Sequence, residues 1–338
     1  MNENLRIAVA GATGAVGTTM LSILAESGFQ ESKVYALASE RSLGKTAEFG
    51  KYSLDVEVLD AFDFSQVDYA LFSAGAKVSL QQATRAAAEG SIVIDNTSAF
   101  RRDDNIPLVV PEINGDLLQD IEAGSIISNP NCSTIQMLIA IAPLHAAAGI
   151  DRINVATYQS VSGAGQKAME ELAQQTMARL SFKDIECKVF AQPIAFNALP
   201  MIDALQDNGY TREEMKLQWE TCKILRDDSI RVNATAVRVP VFYGHSEAVH
   251  LETRDDISVD DVRDLLHQAP GLVLIDDTSP AAQATAVTHA AGKNEVFVSR
   301  LRRDYTHPRG IDMWVVGDNI RKGAALNAVQ IMQALCNR

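Results

Sequence analysis

Short unbroken apolar runs alternate with amphipathic stretches along the first part of the chain. Leu5 to Ala10, Lys33 to Ala38, Tyr69 to Ser73 and Ser91 to Asp95 have the length and composition of strands buried on both faces. Helical stretches lie between them: Met20, Leu21, Ile23 and Leu24 mark one, and Leu80 to Glu89 is another. Strands alternating with helices predict an α/β unit with a parallel, doubly wound sheet. The pattern then changes. Arg152 to Ser160, Asn233 to Pro240 and Ser246 to Thr253 alternate polar with apolar positions over longer spans, whereas Gln166 to Arg179 and Thr211 to Asp227 read as helices. A second unit of α+β type, with a mixed sheet covered by helices, is expected there. The run from Asp318 predicts a last helix reaching Cys336 and packing back on the first unit. These readings divide the chain at 1–128, 129–316 and 317–338, with no repeat or long linker between.

The first strand runs into Gly11-Ala12-Thr13-Gly14-Ala15-Val16-Gly17 and then into a helix. A glycine turn between strand and helix lets backbone approach a pyrophosphate at a helix N-terminus, where N–H groups meet negative charge. Its spacing is G-x-x-G-x-x-G, so its position in the chain carries the argument more than the motif. Gly11, Thr13, Gly14, Ala15 and Val16 are therefore candidate cofactor contacts. After the second strand, where an NAD site usually places an acid, the chain reads Ser39-Glu40-Arg41-Ser42. Arg41 with Ser39 and Ser42 suits a 2′-phosphate, which favours NADP provided that Glu40 turns to solvent.

Cys132 stands in Asn129-Pro130-Asn131-Cys132-Ser133-Thr134, directly before an apolar helical run that ends near Ala148 with Gly149 as its cap. A thiol at a helix N-terminus is biased toward thiolate by the exposed N–H groups and the dipole. A nucleophilic cysteine needs a base. His145 is on the same helix but about 19 Å along it, too far to share a proton. His245, in Arg238-Val239-Pro240-Val241-Phe242-Tyr243-Gly244-His245, has the best-loaded neighbourhood. Taken by themselves, Cys132 also fits a small hydrophobe filling a core gap, His245 and Gln159 fit structural roles, Glu220 and Lys223 form an i, i+3 surface pair, and Arg101 is a solvated loop cation.

Composition narrows the partners. A formal net charge of −13 argues against nucleic acid and anionic membrane surfaces. No apolar stretch is long enough to span a bilayer, and with no apolar leader before the first strand a cytoplasmic location is expected. The four cysteines are scattered without a C-x-x-C pair, and the six histidines show no ligand spacing, so neither a disulfide framework nor a metal site is indicated.

Taken together, these segments resemble the aspartate-β-semialdehyde dehydrogenase family. The matching stretches are Gly11 to Gly17, Asp95-Asn96-Thr97-Ser98-Ala99-Phe100-Arg101, Val109-Val110-Pro111-Glu112, Asn129 to Thr134, Thr157 to Gly165, Arg238 to His245 and Asp318 to Gly323, spanning nearly the whole chain. The resemblance implies a Rossmann-type domain with a glyceraldehyde-3-phosphate dehydrogenase-like catalytic and dimerisation domain, hence a homodimer. It implies interconversion of aspartyl-4-phosphate and NADPH with aspartate semialdehyde, phosphate and NADP⁺, and a place in lysine/diaminopimelate, threonine, methionine and isoleucine synthesis. It further implies Cys132 as nucleophile, His245 as acid/base and Gln159 as the residue orienting the acyl-enzyme. Arg238 would clamp the α-carboxylate and Glu220 would receive the ammonium. Arg101 and Lys223, with Asn131, would hold phosphate, with Arg102 as a competitor for the place of Arg101. Ser162, Gly163 and Asn319 would join the cofactor contacts. Two rivals are an N-acetyl-γ-glutamyl-phosphate reductase and a non-catalytic nucleotide-binding relative. The first normally has glycine before its cysteine and an aromatic after it, where Asn131 and Ser133 stand.

Overall fold

The computed structural model describes residues 5–337, which form two compact units. The first runs through Asn131 and takes up the chain again from Ala324; the second is Cys132–Gly323. These bounds differ by a few residues from those expected. Cys132 opens the second unit, and the chain returns to the first only after Gly323.

In the first unit the strands are β1 (Ile7–Ala10), β2 (Val34–Ala38), β3 (Thr46–Phe49), β4 (Tyr52–Val58), β5 (Tyr69–Phe72), β6 (Ile92–Asp95) and β7 (Ile126–Ser128). They form one sheet in the order β3-β4-β2-β1-β5-β6-β7, parallel except for the antiparallel β3–β4 edge pair. Helices α1 (Ala15–Glu26), α2 (Ala76–Ala88) and the single turn α3 (Pro111–Asn114) connect them. β1 is fully buried and pairs with β2 on one side and β5 on the other. The strand order therefore reverses at β1, and the Gly11 turn leaves the sheet at this switch point, where such sheets bind ligands. The β3–β4 hairpin lies outside the expected strands; its alternating exposed and buried positions are those of a half-covered edge.

The second unit holds α4 (Cys132–Ala148), β8 (Ile150–Gln159), α5 (Gln166–Leu180), α6 (Arg212–Leu225), β9 (Arg231–Arg238), β10 (His245–Thr253), α7 (Val259–Gln268), β11 (Leu272–Leu274), β12 (Val296–Arg303) and β13 (Gly310–Gly317). Its mixed sheet has the order β11-β12-β13-β10-β8-β9. β8 and β9 are parallel, whereas β10 is antiparallel to both β8 and β13. Register puts Gln159 opposite Arg238 and His245 opposite Gly317, so the last residues of β8, β9 and β13 and the first of β10 share one end of the sheet. The chain then closes the first unit with α8 (Leu326–Cys336), whose Ala328, Val329, Ile331 and Met332 are fully buried in the same apolar core as Met20, Leu21 and Leu24 of α1.

Candidate active site

α4 brings Cys132 to the sheet end just described. Gly149 ends this helix with φ +60°, and β8 starts at the next residue, so α4 runs back antiparallel to β8. Its first residue therefore lies toward the C-terminal end of β8, where Gln159 stands. Gln159 donates through Nε2 to Ser133 Oγ at 2.8 Å, which ties the strand to the residue after the nucleophile. Cys132 is a half-buried thiol outside any disulfide, and the first turn of its helix carries no acid that would oppose the dipole there.

His245 is fully buried at the start of β10. Its Nδ1 accepts the Ser160 N–H at 3.0 Å, and Nε2 has no hydrogen-bond partner. Burial above all, then the positive charge of Arg238, pulls the imidazole pKa down to about 3, so the ring is neutral at physiological pH. Gly163 leaves space over it: a Cβ there would stand 3.5 Å from His245 Nε2 and 3.1 Å from Arg238 Nη1. Ser162 and Asn319, each 2% exposed, are bonded together through Asn319 Nδ2 to Ser162 Oγ at 3.0 Å. They belong to the Nδ1 side of the ring, a neighbourhood invisible along the chain.

Arg238, 7% exposed, ends β9 with its Nη1 donating to Ser160 O at 2.7 Å. Burial lowers its pKa, opposed by the negative charges of Glu213 and of the Cys132 thiolate. A cavity of about 400 Å³ opens beside it, lined by Phe190, Leu199, Pro200, Ile202 and Asp203 among others.

The Glu–Lys pair that stands beside Gln159 is not the one expected from the sequence. Gln159 Nε2 also donates to Glu213 Oε1 at 3.1 Å, and Glu213 Oε2 is 2.7 Å from Lys216 Nζ. The pair beside Gln159 is thus Glu213 and Lys216. α6 runs antiparallel to β9: Glu214 Oε1 accepts the Ala236 N–H and Gln218 Oε1 accepts the Val232 N–H. Moving from Glu213 to Glu220 therefore follows β9 away from Arg238, by about 10 Å. Glu220 is also only 3% exposed, so it is not the solvated surface residue expected from spacing. The Glu-x-x-Lys pattern occurs twice, seven positions apart, on the same face of one helix.

Residues of the first unit are arranged as follows. Gly11 has φ +87° and a Cβ there would press to 2.9 Å on Ser73 backbone; one on Gly17 would fall 2.1 Å from Gly11 O. Both glycines are needed for the turn to close against the start of α1. Gly14 caps that helix without a side-chain bond, and no acidic residue occurs in the first turn. The leading N–H groups of Ala15, Val16 and Gly17 lack intrahelical acceptors, which is the donor set a pyrophosphate requires. Ser39, Glu40 and Arg41 are exposed, while Ser42 is buried and less suited to the phosphate contact expected of it. Arg101 is not the solvated cation its context suggested. It is 9% exposed and donates to Asn129 O and Asn96 O, both at 2.9 Å, whereas Arg102 is exposed. Asn131, buried, follows in that loop directly before Cys132.

Residues 6–121 match the semialdehyde dehydrogenase NAD binding domain, and residues 141–322 match the semialdehyde dehydrogenase dimerisation domain. The aspartate-semialdehyde dehydrogenase of Legionella pneumophila is 56% identical over 335 residues, covering 99% of this chain and 96% of that one. The Bacillus subtilis enzyme is 48% identical over 343 residues, covering 99% and 98%. Among solved structures, aspartate semialdehyde dehydrogenase II of Vibrio cholerae, complexed with ASA, is 52% identical with a TM-score of 0.95 over 98% of each chain. With both domains matched and close relatives aligned over almost its full length, the chain belongs to the aspartate-semialdehyde dehydrogenase family.

Proposed function

We propose that this enzyme catalyses the reversible, NADPH-dependent reductive dephosphorylation of L-aspartyl-4-phosphate to L-aspartate-4-semialdehyde through a thioester on Cys132. The observation that carries the reading is that the elements bearing Cys132, Gln159, Arg238 and His245 meet at one end of the second unit's sheet. In the reductive direction the Cys132 thiolate attacks the acyl carbonyl, the C–O bond to phosphate breaks and the C–S bond forms. Gln159 orients the acyl group, and His245 handles the proton of thiol and substrate oxygen. Arg238 offers a planar two-donor clamp for the α-carboxylate. Glu213 supplies the negative charge for the ammonium in place of Glu220, and Lys216 replaces Lys223. Arg101, rather than Arg102, holds phosphate with Asn131, since its side chain is anchored on Asn129 and Asn96.

The donor set at the start of α1 suits NADP, with Gly11, Thr13, Gly14, Ala15 and Val16 around the pyrophosphate and Arg41 with Ser39 toward the 2′-phosphate. Ser162, Gly163 and Asn319 complete that proposal. The bound nicotinamide supplies the hydride. The protein is proposed to work as a homodimer, supported by exposed apolar residues of the second unit such as Leu180 (70%) and Phe182 (100%). Four cysteines outside disulfides fit a reducing, cytoplasmic compartment. The decisive experiment is NADPH formation from aspartate semialdehyde and phosphate. Turnover should vanish in Cys132→Ala, and turnover independent of Cys132 would overturn the proposal.

A further inference from the structure

One residue presents two different partners to Nδ1 of His245. The Ser160 N–H donates to Nδ1 at 3.0 Å, and Ser160 Oγ stands 3.1 Å from the same atom. That oxygen in turn donates to Asn319 Oδ1 at 3.0 Å, which also accepts the Gly244 N–H at 2.9 Å. Ser160 is fully buried and Asn319 nearly so. Among the described residues no carboxylate hydrogen-bonds Nδ1, and Nε2 on the other edge of the ring is buried without a partner.

A neutral imidazole carries one ring proton. When Nδ1 accepts the Ser160 N–H, that proton sits on Nε2, and the ring can donate a hydrogen bond there but cannot accept a proton. In the other tautomer Nδ1–H donates to Ser160 Oγ, whose own hydrogen goes to Asn319 Oδ1 and which also lies 3.0 Å from Ser162 Oγ, while the Ser160 N–H gives up its acceptor. Nε2 then has a lone pair. An orienting group at Nδ1 usually settles this choice in favour of one tautomer. Ser160 instead offers a donor and an acceptor side by side.

We propose that Ser160 is a positioning residue for His245: its hydroxyl, aligned by Asn319, selects the tautomer able to take a proton at Nε2, while its N–H selects the tautomer that can only donate there. The inference rests on the acid/base reading of His245. In the base-competent state the proton of the Cys132 thiol passes to Nε2. The products are a thiolate and an imidazolium whose Nδ1–H stays on Ser160 Oγ. The same hydroxyl therefore serves the charged ring, which later returns the Nε2 proton to the substrate oxygen.

Ser160→Ala removes the hydroxyl and keeps the N–H. In ¹⁵N-histidine NMR of the full-length protein, with the His245 signals assigned by His245→Asn, the wild type should show a population protonated at Nδ1. Ser160→Ala should show Nε2–H alone. Its kcat should fall about 100-fold, within the range general base catalysis supplies, with KM little changed. Ser160→Thr, which retains the hydroxyl, should recover the Nδ1–H signal and most of the rate. Should Ser160→Ala fail to fold, Ser160→Cys, with a weak acceptor, takes its place with the same expectations. Wild-type kcat in the variant lacking the hydroxyl, or unchanged tautomer populations, would overturn the proposal. Either result alongside an inactive His245→Asn leaves the acid/base reading standing, whereas a fully active His245→Asn removes both.

Discussion

Gly323 backs the nucleophile, and filling its space tests how tightly Cys132 is held. A Cβ on Gly323 falls 2.7 Å from Cys132 Cβ and 3.1 Å from Cys132 Cα. Carbon atoms rest about 3.5–4.0 Å apart, so the two must separate by about 1 Å. The Gly323 side is braced: its N–H bonds Asp318 O at 3.0 Å, while the Asp318 carboxylate accepts the N–H groups of Ile320, Arg321 and Gly292. The Cys132 side starts a helix whose Ile135, Met137, Leu138 and Ala140 are fully buried. Overpacking of this kind costs about 1–3 kcal/mol, each kcal/mol lowering Tm by about 2–4 °C in a unit of this size. A reacting atom displaced by about 1 Å can cost about 100-fold in rate. Gly323→Ala should thus lose about two decades of kcat, with a modest Tm decrease and little change in KM for NADP. Steady-state kinetics, thermal unfolding and the rate of Cys132 alkylation by iodoacetamide measure these quantities. A lower Tm with kcat within about twofold of wild type would refute the idea that this contact positions the sulfur. Unchanged values of both would refute the contact itself.

Three further expectations follow from the site and its surroundings. Glu213→Ala should lower kcat/KM for aspartate semialdehyde about 100-fold, within the 2–5 kcal/mol that losing a partner of a buried charge typically costs; Glu220→Ala should leave it within about threefold, and the reverse ordering in a kinetic comparison would restore the original assignment. Glu247, fully buried on β10, has its carboxyl pKa raised well above 4.5 by burial, so the fold retains a proton that the unfolded chain releases above about pH 4.5. The stability this group contributes is full below that pH and falls as pH rises; calorimetry should find Glu247→Gln equal to wild type near pH 4 and more stable near pH 8, and a wild-type pH slope would contradict this. Arg41→Ala should reduce the ratio of NADP to NAD specificity constants about tenfold, equivalent to about 1.4 kcal/mol, and an unchanged ratio would remove Arg41 from the 2′-phosphate contact.

The first unit was legible because its signals are local. Four buried strands and a glycine turn are each written within a few neighbouring residues, as continuous apolar runs or as residue types that permit a particular backbone. The β3–β4 hairpin escaped because its buried Ala47, Phe49, Leu54 and Val56 are separated by polar positions typical of an edge. β12 escaped for a similar reason, since Ser299, Arg300, Arg302 and Arg303 interrupt its apolar pattern. In the second unit, the family resemblance pointed to Cys132, Gln159, Arg238 and His245, but the meeting of the elements that carry them depends on β8 pairing parallel to β9 and antiparallel to β10. The Glu–Lys pair shows the limit most clearly. Glu213 and Glu220 are two turns apart on one face of α6, so periodicity treats them alike. Only the depth at which α6 lies along β9, set by Glu214 on Ala236 and Gln218 on Val232, decides which carboxylate stands beside Gln159. Periodicity reports which face of a helix is buried; position along its axis is settled by packing against elements distant in the chain.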